Sequence, residues 1–145
     1  MPQAILRIGQ LSSLTGRSVH TIRWYESQGL IPGVRRDRGG RRTYTHLHLN
    51  WLDLIDRLRR TGMSIAHIRE YAALAKKGDS TLHRRRRLLA AHRSRVESKI
   101  AEWTAALKLL DHKIDFYGQW LATGVRPDIS FPQIRNSEKV KRSSP

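Results

Sequence analysis

Cysteine is missing from all 145 residues. Its absence excludes disulfides, thiolate metal sites and cysteine-based redox or electrophile sensing. No apolar run approaches the roughly 18 residues that a bilayer-spanning helix needs. The first residues also lack the charged-then-apolar order of a signal peptide. The expectation is a soluble, cytoplasmic chain with no membrane partner. Acidic residues are scarce: 12 Asp and Glu stand against 28 Lys and Arg, for a net charge of +16 and an isoelectric point near 11.4. Carboxylates are few and scattered, and there is neither a glycine-rich phosphate loop nor a local Ser/His/Asp motif. The chain therefore reads as not an enzyme, and no cofactor is expected. The 7 histidines contain no i, i+4 pair, so no metal site is expected either. What is abundant is positive charge, which favours polyanions, and nucleic acid is the commonest of these.

Residues 7–26 carry the first motif. Ile8, Leu11 and Leu14 recur at three-residue intervals and mark one buried stripe. Helices are predicted over about 8–15 and 18–28, around a turn at Thr15-Gly16-Arg17. Ser18 stands where an N-cap belongs, and Val19 and Ile22 give the second helix a buried edge. His20, Thr21, Arg23 and Trp24 then point away from that edge, the form of a helix that enters a DNA major groove. Gly29 suits a left-handed C-cap, and Pro32 prevents the helix from continuing.

Residues 33–44 read as a small hairpin. Asp37 to Gly40 supply turn chemistry, while Val34, Thr43 and Tyr44 are strand formers. Arg35, Arg36, Arg38, Arg41 and Arg42 all fall on this element, directly after a candidate recognition helix. A solvated charged loop is the ordinary reading of such a run. Here a wing that clamps phosphate is favoured, because guanidinium forks match phosphate oxygens.

A third helix is predicted from Thr45 or His46 to Thr61, with Leu47, Leu49, Leu52, Ile55 and Leu58 for the core. Ser64 caps a fourth, whose inner face is Ile65, Ile68, Tyr71, Ala72 and Ala75. A break at 76–80 marks a domain boundary, giving a DNA-binding domain over 1–77 and a helical segment over 78–123. In that segment Val96, Ile100, Trp103, Leu107, Leu110, Ile114, Tyr117 and Leu121 are spaced 4-3-4-3-4-3-4, the seam of a coiled coil. A helix from about Ser80 to Ala122 is about 60 Å long, more than a small domain can cover, so a homodimer through paired helices is expected. Carried backward, the repeat meets Leu82, Arg86, Leu89 and Arg93, beside the run Arg84–Arg87. Those arginines are either a solvated or DNA-facing surface, or they meet Glu102, Asp111, Asp115 or Tyr117 of an antiparallel partner. Residues 124–145 lose periodicity and read as a disordered basic tail.

Several motifs together resemble the MerR family of transcriptional regulators. They are Ile8-Gly9-Gln10-Leu11, Thr15-Gly16, Val19-x-Thr21-Ile22-Arg23-Trp24-Tyr25-Glu26, Gly29-Leu30-Ile31-Pro32, Gly40-x-Arg42-x-Tyr44 and Leu58-x-x-x-Gly62-Met63-Ser64-Ile65. Gly78-Asp79-Ser80-Thr81 before the long helix, and Leu110-Asp111-x-Lys113-Ile114 near its end, resemble the aldehyde- and thiol-stress-responsive branch. The resemblance implies a mainly α fold: a winged helix-turn-helix, a helical pair, and a long C-terminal helix forming an antiparallel coiled-coil dimer. It also implies double-stranded DNA as partner, bound at a pseudo-palindromic promoter site that is bent and untwisted, with RNA polymerase as a further partner there.

Position by position, Arg23, Tyr25, Arg42 and Tyr44 match phosphate-contacting places, and Ser18, His20 and Thr21 the front of the recognition helix. Trp24 replaces the usual tyrosine or phenylalanine. Arg17, Arg35 and Arg41 complete the candidate DNA-binding set. Two departures stand out. Arg41 occupies a wing position that is usually aromatic, and Arg57 stands where the stress-responsive branch carries its reactive cysteine. Any sensing must therefore use another route; a small-molecule pocket at Trp103, Tyr117 or Trp120 competes with the plainer reading of those aromatics as core. A competing function is an architectural or excisionase-like protein that bends DNA without regulating a promoter.

Overall fold

Gly16 and Gly29 set the frame of the N-terminal end, each with a positive φ (68° and 71°) that glycine adopts without strain. The computed structural model describes residues 4–128. Helix α1 (Ile8–Thr15) stops at Gly16, and helix α2 (Val19–Ser27) starts from Ser18. Past α2, the Leu30 N–H returns to the Tyr25 carbonyl at 3.0 Å, which closes the helix as the glycine had suggested. A two-stranded antiparallel wing follows. β1 (Arg35–Arg36) pairs with β2 (Arg42–Thr43) in the register Arg35–Thr43 and Arg36–Arg42. The segment before α1 joins it, because Leu6 and Tyr44 exchange backbone hydrogen bonds at 2.7 and 3.0 Å. The strands are shorter than the predicted hairpin, since the turn takes up Asp37 to Arg41.

Helix α3 (His46–Arg60) and helix α4 (Ile65–Lys77) complete the helical pair. A single 3₁₀ turn (Asp79–Thr81) leads into helix α5 (Leu82–Thr123), 42 residues long. The described residues form two compact units, divided inside α5 between Ser98 and Lys99. The core of the first unit is Leu11, Ile22, Leu30, Tyr44, Leu52, Ile55 and Ile68, all fully buried. This core joins helices α1 to α4 and reaches the end of the wing through Tyr44, so the pose of α2 against the wing depends on one packed interior.

Three packing expectations need correction. Leu14 is 57 % exposed, because the covered face of α1 runs through Ile8, Leu11, Ser12 and Thr15 instead. Ser12 donates to the Arg17 carbonyl at 2.6 Å and Thr15 to that of Leu11 at 2.7 Å, so small hydroxyls line the tight turn. Leu47 is 62 % exposed, since α3 buries the row His48, Leu52 and Ile55, which turns Leu47 outward. In α4 the buried face includes Leu74, which the sequence pattern did not single out.

His48 takes the place of an aliphatic core residue by capping its own helix. Its Nδ1 accepts the Thr45 N–H at 2.9 Å, so the ring proton belongs on Nε2. Burial pushes its pKa below the ordinary 6.5, against the backbone of Gly33 and Pro32, which pulls the other way. His92 is lowered too, by burial first and then by Arg95 and His67. A base whose folded pKa is depressed gives stability that is complete above its ordinary pKa and is lost as pH falls through the folded value. The urea midpoint is therefore expected to hold steady above about pH 7 and to decline as pH falls below about 6.5. A flat midpoint across that window would contradict the neutral, buried state of these rings.

In the second unit the predicted seam is exposed: Ile100, Trp103, Leu107, Leu110, Ile114, Tyr117 and Leu121 all face outward on α5, while Val96, within the first unit, is half-buried. Phe116, outside that spacing, is buried instead. It packs edge-on to Tyr117 and Trp120, with the Lys113 and Arg126 cations about its ring. The basic tail predicted from residue 124 lies, from residue 129 onward, outside the described residues.

Candidate nucleic-acid interface

Helix α2 is held by its inner residues, Ile22 and Tyr25, which leaves His20 and Arg23 exposed on the outer side. Ser18 shapes the start of the helix. Its Oγ accepts the Thr21 N–H at 3.1 Å and lies 2.9 Å from the Thr21 hydroxyl, which is the capping role its position suggested. Trp24 is 39 % exposed, and the Arg59 guanidinium of α3 sits 5.7 Å over its ring. The same guanidinium is 6.0 Å from the Tyr25 ring. Sequence reading missed Arg59; its only signal was one more arginine at the basic end of α3.

The wing is tied to α2 by Glu26. Arg42 Nε donates to its carboxylate at 2.7 Å, and the Tyr44 hydroxyl donates to the other oxygen at 3.3 Å. The hydrogen bond and charge of Glu26 raise the pKa of Arg42 further. Tyr44 is fully buried, and burial first, then the Glu26 charge, push its pKa up to about 12. It is thus a neutral donor whose hydroxyl is used inside the protein. Glu26 was quoted in the motif without a role, because a lone carboxylate beside two aromatics gives no sign of the strand it will meet.

Removing that carboxylate has a calculable cost. Glu26→Ala strands the buried Tyr44 hydroxyl, which costs about 1–3 kcal/mol. In a urea-denaturation cycle with Tyr44→Phe, the double variant is expected to lose less than the sum of the single losses. Strict additivity would show that the contact carries no energy.

The wing turn is fastened in the same way. Asp37 accepts the Arg41 N–H at 2.9 Å and pairs with Arg7 at 2.8 Å, and these contacts, the backbone one first, hold its carboxyl below the usual range. Arg36 Nη1 donates to the Gly40 carbonyl at 2.7 Å. The result is a concavity of about 450 Å³ lined by Arg7, Ile8, Arg23, Arg36, Gly40, Arg41 and Arg42. Arg23 of the recognition helix and Arg41 and Arg42 of the wing all line this one hollow. Arg36, one of the wing arginines, lines it too, and Arg7 is an addition. Arg35 is exposed on β1 opposite Thr43. Arg17 does not line the concavity; its side chain is only 13 % exposed and lies 3.3 Å from Asp56 and 3.9 Å from Asp53 of α3. Guanidinium groups thus face one hollow whose nearby carboxylates, Asp37 and Glu26, are already paired.

An exposed helix face carrying His20, Arg23 and Trp24, beside an arginine-lined two-stranded wing, defines a winged helix-turn-helix protein of the DNA-binding class. Comparison with known proteins narrows the class. Residues 6–74 match the MerR HTH family regulatory protein model, and residues 49–113 match the MerR DNA-binding model. An uncharacterised HTH-type transcriptional regulator of Haemophilus influenzae is 38 % identical over 82 % of this chain and 88 % of its own length. The HTH-type transcriptional regulator AdhR of Bacillus subtilis is 37 % identical over 63 % of this chain and 65 % of its own. Among solved structures, HiNmlR, described as a MerR family regulator lacking the sensor domain and bound to promoter DNA, superposes with a TM-score of 0.72. It is 35 % identical and covers 83 % of this chain and 96 % of its own. The chain belongs to the MerR family: it is a DNA-binding transcriptional regulator and not an enzyme.

Proposed function

We propose that this regulator works as a homodimer that reads a pseudo-palindromic promoter site and distorts the DNA between its half-sites. The observation that carries this reading is the uncovered stripe of α5. Trp103 is 71 % exposed and Leu121 87 % exposed, in a 4-3 spacing that a second α5 can cover. Antiparallel pairing is favoured by charge. A parallel alignment sets the Arg84–Arg87 run against its own copy, whereas an antiparallel one brings it to the end bearing Asp111 and Asp115. Within the chain Arg84 lies 3.7 Å from Glu70, and Arg93 is 2.9 Å from Glu97 on its own helix.

Two heads joined through one seam present two α2 helices at a fixed separation, so the DNA must conform to them. That deformation is what such a protein adds to a promoter, and RNA polymerase is the enzyme positioned to respond to it. His20, Thr21 and Arg23 face bases or the adjacent backbone, while Arg41 and Arg42 clamp phosphate. Selection from a random DNA pool with the purified chain tests the proposal. Recovery of an inverted repeat supports it, and recovery of a lone half-site or of no motif contradicts it.

A further inference from the structure

The first unit holds a second concavity that DNA reading does not use. It has a volume of about 520 Å³ and opens between α3, α4 and the connector that follows α2. Its walls include Pro32, Leu47, Trp51, Leu54, Tyr71 and Ala75. Trp51 and Tyr71 stack with ring centres 5.2 Å apart and planes 9° from parallel, which makes a flat aromatic wall. No charged side chain lines it, although the chain carries a net charge of +16. The two nitrogen-bearing rings are already committed: Trp51 Nε1 donates to the Leu30 carbonyl at 2.7 Å, and His48 accepts from Thr45 through Nδ1 and hydrogen-bonds the Pro32 and Gly33 backbone. The polar atoms that remain are the Asn50 carboxamide and the Tyr71 hydroxyl. A volume in the roughly 300–1,000 Å³ range, apolar walls and a few polar groups match the make-up of a small-molecule site.

We propose that this concavity is a binding site for an uncharged, flat, mainly apolar small molecule. An anion gains no cation here, and a cation must approach through a strongly positive field, so both charged classes are disfavoured. The site is placed to affect DNA reading. Pro32 and Gly33 line it, and Trp51 holds Leu30, so an occupant presses on the connector that joins the recognition helix to the wing. This regulatory part rests on the DNA-reading role proposed above, while binding itself does not.

The test uses N-phenyl-1-naphthylamine, an uncharged fluorescent probe, with the full chain. Saturable binding at one probe per chain is expected, and Ala75→Phe, which fills the cavity, is expected to weaken it at least tenfold. Leu47→Lys sets a charge at the rim from a position that is 62 % exposed, so it keeps the fold and is expected to weaken the probe as well. Probe fluorescence is read without DNA, so a failure of the DNA-reading proposal leaves this result intact. No binding overturns the proposal. Binding to both variants as tight as to the unsubstituted chain also overturns it, because the probe then sits elsewhere, as on the α5 stripe. Binding only to a chain whose dimer has been broken overturns it too, because a second copy then fills the cavity.

Discussion

Arg42→Ala is expected to lower affinity for DNA of every sequence by at least tenfold and to reduce the slope of log affinity against log salt by about one. Arg42 does two things that the variant loses together. It contributes a guanidinium to the arginine concavity, and through Nε it neutralises Glu26 at 2.7 Å. Without it, the Glu26 carboxylate, 21 % exposed, faces an approaching phosphate uncompensated. Both effects oppose binding, and neither depends on base identity, so the loss is uniform across sites. Fluorescence anisotropy on a fixed duplex over a salt series reads it. Unchanged affinity and slope would remove the wing from the phosphate-clamping role.

The second large effect is expected at the seam. Trp103 and Leu107 are 71 % and 60 % exposed in the single chain, so replacing both with lysine costs the isolated fold little. In the proposed dimer the two positions from each helix would bury four large side chains, worth roughly 1.5–3 kcal/mol each. Losing about 6–12 kcal/mol converts a stable dimer into a monomer at micromolar concentration. Light scattering is expected to show the monomer mass, with the circular dichroism of the helices in the first unit retained. A dimer of unchanged mass would place the interface elsewhere and leave the stripe unexplained.

The helix-turn-helix was legible because its signals are local. Ser18 caps the helix that it was expected to cap, Gly29 takes the left-handed conformation its position implied, and Gly16 lies in the expected turn. The long helix α5 was legible for a different reason, since no proline interrupts it and its apolar repeat runs for most of its length. The failures share one cause. Leu14 and Leu47 are apolar residues near helix ends, where neighbouring elements, and not periodicity, determine which side is covered. Phe116 is covered by residues one turn away and by Arg126, beyond the end of the helix.

In the site, residue type located the charges but not their partners. Arg17 and Arg42 look equivalent in the sequence, yet one pairs with Asp56 of α3 and the other lines the basic hollow. Tyr44 carries the motif's aromatic signature, but its hydroxyl is spent on Glu26, 18 positions away in the chain. Pairings at that separation leave no local mark. Arg7 joins the hollow only because Leu6 and Tyr44 bring the first segment against the wing.

The central claim is that two copies of α2 and its wing read DNA at a separation fixed by the protein. Inserting five base pairs between the selected half-sites turns one half-site by about half a helical turn, since half-sites recur every 10–10.5 base pairs or so. Anisotropy titration at constant salt is the direct measurement. Affinity for the inserted site is expected to fall to that of a single half-site. Equal affinity for the original and inserted sites would contradict it.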